Sequence, residues 1–302
     1  MRVSTSYLHQ QLADRMSASA GELAKLQANV ASGLKYNRPS EAPDLVGRVQ
    51  SIESRIEGLK TDVESVARVR VGVDAQASAL ESAVDLMSRV RTLVVQGSSQ
   101  QYSDSEREAI AEEINVLKRS LLDLANSRDA DGRYVFAGTR SSESPYALQQ
   151  DGYVTYQGAA NPLRVQVSDA GFEDATVSGP EVWRGTTRGG SSVDFFAVLN
   201  DLETALRNGE TANIGRALTE TDDLFDNLNN SLSRLGATQQ RLALAQSQAE
   251  ELTIRAQEVL SSVKDLDYAD ALSRLKQQEV LLQASQSLMA RLSQLSLLDV
   301  MR

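Results

Sequence analysis

Cysteine is absent from this 302-residue sequence, which excludes disulfides and thiolate metal sites. Histidine occurs once, as His9. Acid–base catalysis therefore loses its commonest side chain, and His9 reads as a surface or packing residue. Proline stands only at 39, 43, 145, 162 and 180, so 44–144 and 181–302 are free of the strongest helix breaker. No apolar run reaches the roughly 18–20 residues that cross a bilayer. The opening "MRVSTSYLHQQLADRM" lacks the apolar core of a secretory signal peptide. Basic excess is missing as well: 31 Lys and Arg face 41 Asp and Glu, a net charge of −10. Phosphate backbones and anionic lipid both call for the opposite balance, so neither nucleic acid nor membrane insertion is expected.

What is present is aliphatic and helical. Hydrophobic residues make up 41% of the chain and aromatics 5%, the profile of long packed helices. Val49, Ile52, Ile56, Leu59, Val63 and Val66, then Val73, Ala77, Leu80, Val84, Met87 and Val94, follow the alternating three- and four-residue steps of a heptad. Only Arg70 and Arg91 interrupt that seam, which spans about seven heptads and roughly 70 Å. Ser40 is the expected helix cap, with Glu41 and Asp44 in the first turn. Ile110, Ile114, Leu117, Leu121 and Leu124 mark a second helix, opened by a capping box of Ser103 with Glu106. After Phe195–Leu206, a further helix, the heptad returns: Leu228, Leu235, Leu242, Ala249, Ala256 and Val263 lie seven apart, with Ala245, Leu252, Val259 and Leu266 as the companion row.

Residues 131–194 differ in composition. Nine of the eighteen glycines, three prolines, the single Trp and four of eight tyrosines fall there. Short runs such as "RYVFAG", "YVTYQG" and "LRVQVS", bounded by Gly, Asn and Asp, signal a small β-rich domain. The expected fold is mainly α: an elongated antiparallel helical bundle made from both chain ends, with the β-rich domain inserted at one tip. Segments 1–40 and 270–302 are expected to be terminal helical assembly segments that order against neighbouring copies, 41–130 and 195–269 the helical rod, and 131–194 the β-rich domain, which the resemblance given below implies is the outer one. Val49, Ile52, Ile56, Leu59, Val63, Val66, Leu80, Val84, Leu242, Leu252, Val259 and Val263 are the expected rod core.

No catalytic, cofactor or metal site is expected. Asp265, Asp267 and Asp270 in "DLDYAD" fail the calcium-loop pattern, since Asp270 stands where glycine is needed and Lys276 where glutamate is needed. They read as a solvated helix bend. "AGTRSS" has neither the glycine spacing nor the lysine of a phosphate loop. Arg70 and Arg91 read as seam residues that snorkel or pair with acidic neighbours.

The closing stretch "VLLQASQSLMARLSQLSLLDVMR" sets Leu281, Leu288, Leu292, Leu295 and Leu298 at helical spacing. Burying five leucines is worth on the order of 10 kcal/mol as an upper bound. Met16, Leu23 and Val30, seven apart, make the first thirty-odd residues a natural mate, yet one too sparsely apolar to cover the whole stripe. These eight residues are the expected subunit-interface set: ends that order against neighbouring copies.

"NVASGLKYNRPSEAPDLVGRV", residues 29–49, resembles the N-terminal signature of the flagellin superfamily. "DGRYVFAGTRSSESPY", the later "YVTYQGAAN" and the closing "VKDLDYADALSRLKQQEVLLQASQSLMARLSQLSLLDVMR" are similar to its hook–filament junction branch. One departure is plain: Glu41-Ala42-Pro43 stands where that family commonly has Asp-Asp-Pro, and no specific contact is assigned to that turn. The resemblance implies a structural subunit that self-associates in a ring, flanked by a neighbouring hook-associated junction protein and by flagellin. It also implies export through the flagellar type III channel, an export chaperone at the C-terminus, and a location outside the cell on the flagellum. The alternative within the superfamily is a flagellin-like filament subunit.

Overall fold

In a computed structural model the backbone is described for all residues except 1, 150, 151, 163, 169, 170, 175, 176, 301 and 302. Side chains in 2–6, 8–9, 166–168, 172–173 and 292–300 also lie outside the description, His9 among them. Seven α-helices occur among the described residues: α1 (Arg2–Ser32), α2 (Pro43–Ser98), α3 (Asp104–Ala125), α4 (Gly179–Val182), α5 (Phe195–Arg207), α6 (Thr211–Lys264) and α7 (Tyr268–Val300). Between α3 and α5 come three antiparallel hairpins: β1 (Tyr146–Leu148) with β2 (Val154–Tyr156), β3 (Arg164–Ser168) with β4 (Gly171–Asp174), and β5 (Thr186–Arg188) with β6 (Ser191–Val193). None of these helices is long and apolar enough to cross a membrane.

The chain divides into two units, Met1–Gly58 with Leu252–Arg302, and Leu59–Glu251. The second has its own core. Val66, Val73, Leu80, Met87 and Val94 of α2 are buried, as the heptad requires. Their companion row is Val69, Gln76, Ala83 and Val90, one position earlier than the periodicity suggests. Helix α2 here meets α3, α5 and the hairpin segment in one cluster, so its buried arc is wider than a two-stranded seam. Arg70 and Arg91 fall outside that arc. Arg70 pairs with Asp74 at 3.6 Å, and Arg91 pairs with Asp222 at 2.6 Å while lying 4.6 Å from the Phe225 ring centroid.

Of the expected rod core in this unit, Val66, Leu80 and Leu242 are buried, and Leu59, Val63 and Val84 are half-buried. Helix α3 opens on the capping box read from the sequence: Ser103 Oγ accepts from Glu106 N at 3.4 Å, and Ser103 N donates to Glu106 Oε2 at 2.7 Å. Both bonds satisfy amides that a helix start leaves open.

One expected strand is missing. "RYVFAG" forms turns, with a lone bridge between Arg128 and Tyr134. Gly138 sits at φ +60 with the Ala159 and Asn161 carbonyl oxygens where a side chain would go, so the backbone packs on itself instead of pairing in a ladder. Tyr134 N donates to Ser141 O at 2.8 Å, and Phe136 O accepts from Gly179 N at 3.0 Å. Phe136, Trp183, Phe195 and Phe196 form one buried ring cluster, with Trp183 edge-on to Phe195 at 5.2 Å.

Gln76 joins this region to α2. Fully buried, it donates to Val135 O at 2.5 Å and Val177 O at 3.0 Å, and accepts from Val177 N at 3.2 Å. A carboxamide that meets three backbone groups in a dry site is costly to remove, because each group left behind is buried unpaired. Gln76→Leu is expected to destabilise this unit by roughly 1–3 kcal/mol. The urea midpoint followed by fluorescence of Trp183, the only tryptophan, measures it; an unchanged midpoint would show that the network is dispensable.

Candidate assembly surface at the chain ends

In the first unit, α1 packs on α7. The α1 residues that are wholly or partly covered are Leu12, Met16, Ser19, Leu23, Leu26 and Val30, with Asn29 beside them. On α7 they are Ala271, Leu275, Gln278, Leu282, Ser285 and Met289, with Glu279 beside Gln278. Both sets step by four and three, the signature of a heptad seam. At its middle Gln278 Nε2 donates to Ser19 Oγ at 2.8 Å. A polar pair inside an apolar seam fixes register at some cost in stability. Near the other end, Leu266 N donates to Gly33 O, so the helices run antiparallel.

This seam places the expected interface residues in two groups. Met16, Leu23 and Val30 lie in the seam and are half-buried. Leu281 and Leu288 do not: they sit one step round the helix and are 57% and 53% exposed. Leu272 and Val280 are also exposed on α7. The side chains of Leu292, Leu295 and Leu298 lie outside the described residues. Helix α7 thus carries a covered row and a bare one, and α1 serves only the first.

The two helix breaks of this unit are tied together. Leu266 N donates to Gly33 O at 2.8 Å, and Lys35 N to Lys264 O at 2.9 Å. Gly33 has φ +74, a conformation open to glycine, and the Tyr268 hydroxyl lies 2.9 Å from where a Cβ would stand. Asn29 Nδ2 donates to Lys35 O, and Asn37 Nδ2 to Asn29 Oδ1. Lys264 Nζ reaches Glu53 at 2.8 Å. In the second break, Asp267 caps α7 by accepting from Ala269 N, and Asp270 pairs with Arg274. These carboxylates serve the bend that the sequence suggested.

Two local expectations change. Ser40 is not the cap of α2; it lies in a 3-10 turn, Pro39–Glu41, and the helix opens at Pro43, whose missing N–H suits a first helical position. The turn also has a specific contact after all. Glu41 Oε2 accepts from Asn37 N at 2.7 Å and Arg38 N at 3.2 Å. These bonds, Asn37's first, hold its carboxyl below the ordinary 4.5.

Along α2 and α6 in this unit, Val49 and Ile56 are buried and Ile52 and Val263 half-buried. Leu252 and Val259 are exposed, at 40% and 42%; the covered row is Thr253, Ala256, Leu260 and Val263. The row counted in sevens from Leu228 stays covered as far as Ala256 and Val263; only its companion differs, with Thr253 and Leu260 one position after Leu252 and Val259.

Both ends of the chain match a known family. Residues 3–141 match the bacterial flagellin N-terminal helical region, and 218–301 the bacterial flagellin C-terminal helical region. The chain belongs to the flagellin family. The flagellar hook-associated protein 3 of Salmonella typhimurium is 23% identical over 322 residues, covering 100% of both chains. The Bacillus subtilis flagellin is 24% identical over 305 residues, covering 97% of each. Among solved structures, a putative flagellar hook-associated protein from Vibrio parahaemolyticus shares the fold, with a TM-score of 0.67 and 18% identity over 74% of this chain and 100% of that one. Flagellin-family chains are structural components of the flagellum.

The Glu41 contacts give a pH signature. A lowered carboxyl value contributes stability above the unfolded value, near 4.5, and loses it as pH falls through the folded one. The Asn37 amide proton resonance is therefore expected to titrate with a midpoint below 4.5, and Glu41→Gln to abolish that titration. A midpoint at or above 4.5 in the unaltered chain would contradict the contact.

Proposed function

We propose that this chain is a structural subunit of the junction between flagellar hook and filament, the platform on which flagellin polymerises. The observation that carries the reading is the match along the whole of both chains to a hook-associated protein 3. The reading is supported by a helix-paired end with an apolar row that the chain's own helices leave bare. The subunit self-associates in a ring, with a second junction protein on one side and flagellin on the other. Leu281 and Leu288 meet neighbouring copies, and Leu292, Leu295 and Leu298 of the closing stretch belong to the same interface set. Met16, Leu23 and Val30 act one step behind, by holding α7 in register.

Before assembly, the same apolar row is the surface an export chaperone would mask during passage through the flagellar type III channel. The chain-ends-and-insert division at 1–40, 41–130, 131–194, 195–269 and 270–302 describes how the subunit would be disposed in the flagellum: ends inward, insert outward.

A filament subunit is the second reading, favoured by the 97% coverage of the Bacillus subtilis flagellin. Deleting the gene separates the two. The junction reading expects cells with hooks, without filaments, and with flagellin shed into the medium. Filaments of normal length and number would overturn it. Removing residues 281–302 is expected to give the same phenotype while Trp183 fluorescence of the purified chain stays native.

A further inference from the structure

In the second unit, a cavity of about 270 Å³ opens between α3, α5 and the β1–β2 hairpin. Its floor is polar. Lys118, 8% exposed, donates to Asn200 Oδ1 at 3.0 Å and Glu203 Oε2 at 2.8 Å. An ammonium carries three N–H donors, and these bonds use two. Because Asn200 turns its carbonyl oxygen towards Lys118, its NH2 group is directed elsewhere, and no acceptor for it occurs among the described residues. Gly152, at φ +85 in the hairpin turn, lies against the same side chain: a Cβ there would stand 3.6 Å from Asn200 Oδ1.

The walls are apolar, formed by Leu122, Leu148 and Val154, with Leu148 54% exposed at the lip. Among the described lining residues Glu203 is the one carboxylate, and it is already held by Lys118 at 2.8 Å and Arg207 at 3.1 Å. Arg119 adds a cation at the rim. Among the described lining residues Lys118 and Arg119 outnumber the carboxylate Glu203, in a chain of net charge −10.

We propose that this pocket binds a carboxylate on a short apolar stem, one oxygen taking the third Lys118 N–H and the other the Asn200 NH2. The buried Lys118–Glu203 pair fixes the donors in a site of low dielectric, where a charge-assisted bond is strong. The volume is below that of pockets for drug-sized ligands and suits an acid of a few carbons or one Asp or Glu side chain. That carboxylate comes either from a free acid or from a second copy of this acidic chain. The inference is independent of where the subunit sits in the flagellum.

Butyrate titrated into the full 15N-labelled chain tests it, with the Asn200 side-chain NH2 resonance as readout. A saturable shift with half-saturation in the roughly millimolar range is expected. Asn200→Asp keeps an oxygen for Lys118 but deletes the donor, so helical circular dichroism should persist while butyrate binding weakens by about tenfold or more. Leu148→Asp, at the exposed lip, should weaken it too without touching the floor. If a second copy supplies the carboxylate, the unaltered chain shows the shift with rising protein concentration alone, and butyrate reverses it. If a free acid does, the resonance ignores protein concentration. Three results would overturn the proposal: no response to either variable, a concentration shift that butyrate does not reverse, or equal butyrate affinity in both variants.

Discussion

A helix with two apolar rows needs two partners, and this chain supplies one. Helix α1 covers Ala271, Leu275, Leu282 and Met289 of α7 and leaves Leu281 and Leu288 to solvent. Each bare leucine, a little over half exposed, forgoes roughly half of the ~1.5–3 kcal/mol that full burial is worth. In a monomer that is a standing liability. In the assembly proposed above it would be the driving force, withheld until a neighbour arrives. The Ser19–Gln278 pair gives this arrangement its register, because a one-heptad slip along the seam would set Gln278 against Leu12 or Leu26.

The remaining structure complements that constraint. The second unit closes on itself through the ring cluster around Trp183, the Gln76 network, and Arg188, which binds Glu220 at 2.7 Å and Asp201 at 2.6 Å. Its stability therefore does not wait on assembly. In the first unit, the linkage of Gly33 with Leu266 and Lys35 with Lys264 ties two helix breaks into one joint. The α1–α7 pair is thereby anchored at the end where the chain leaves and re-enters it.

Much of this was legible in the sequence, and the failures are instructive. Heptad spacing located the long helices, the Ser103–Glu106 box located one start, and composition located the strand-bearing insert. The spacing could not say which companion row is buried. In α2 the additional neighbours widen the arc to Val69, Gln76, Ala83 and Val90; in α6 the covered companion row runs through Thr253 and Leu260, one position after the row counted from the sequence. "RYVFAG" has strand composition but folds as turns, because Gly138 brings distant backbone into contact. Likewise Glu41's bonds to two amides and the Lys118–Asn200 floor depend on residues or geometry that no periodicity encodes. The leucines of the closing stripe were legible as a surface needing cover; that α1 takes the adjacent row was not.

Because the chain has no cysteine, one introduced thiol reports alone. Leu288→Cys, probed with a water-soluble maleimide on the free subunit and on isolated flagella, tests the bare row directly. Rapid labelling of the free subunit and protection in the flagellum is the result the two-partner account predicts, with Ala271→Cys slow in both. Equal, rapid labelling of Leu288→Cys in flagella would mean that no neighbour covers α7, and the account would be wrong.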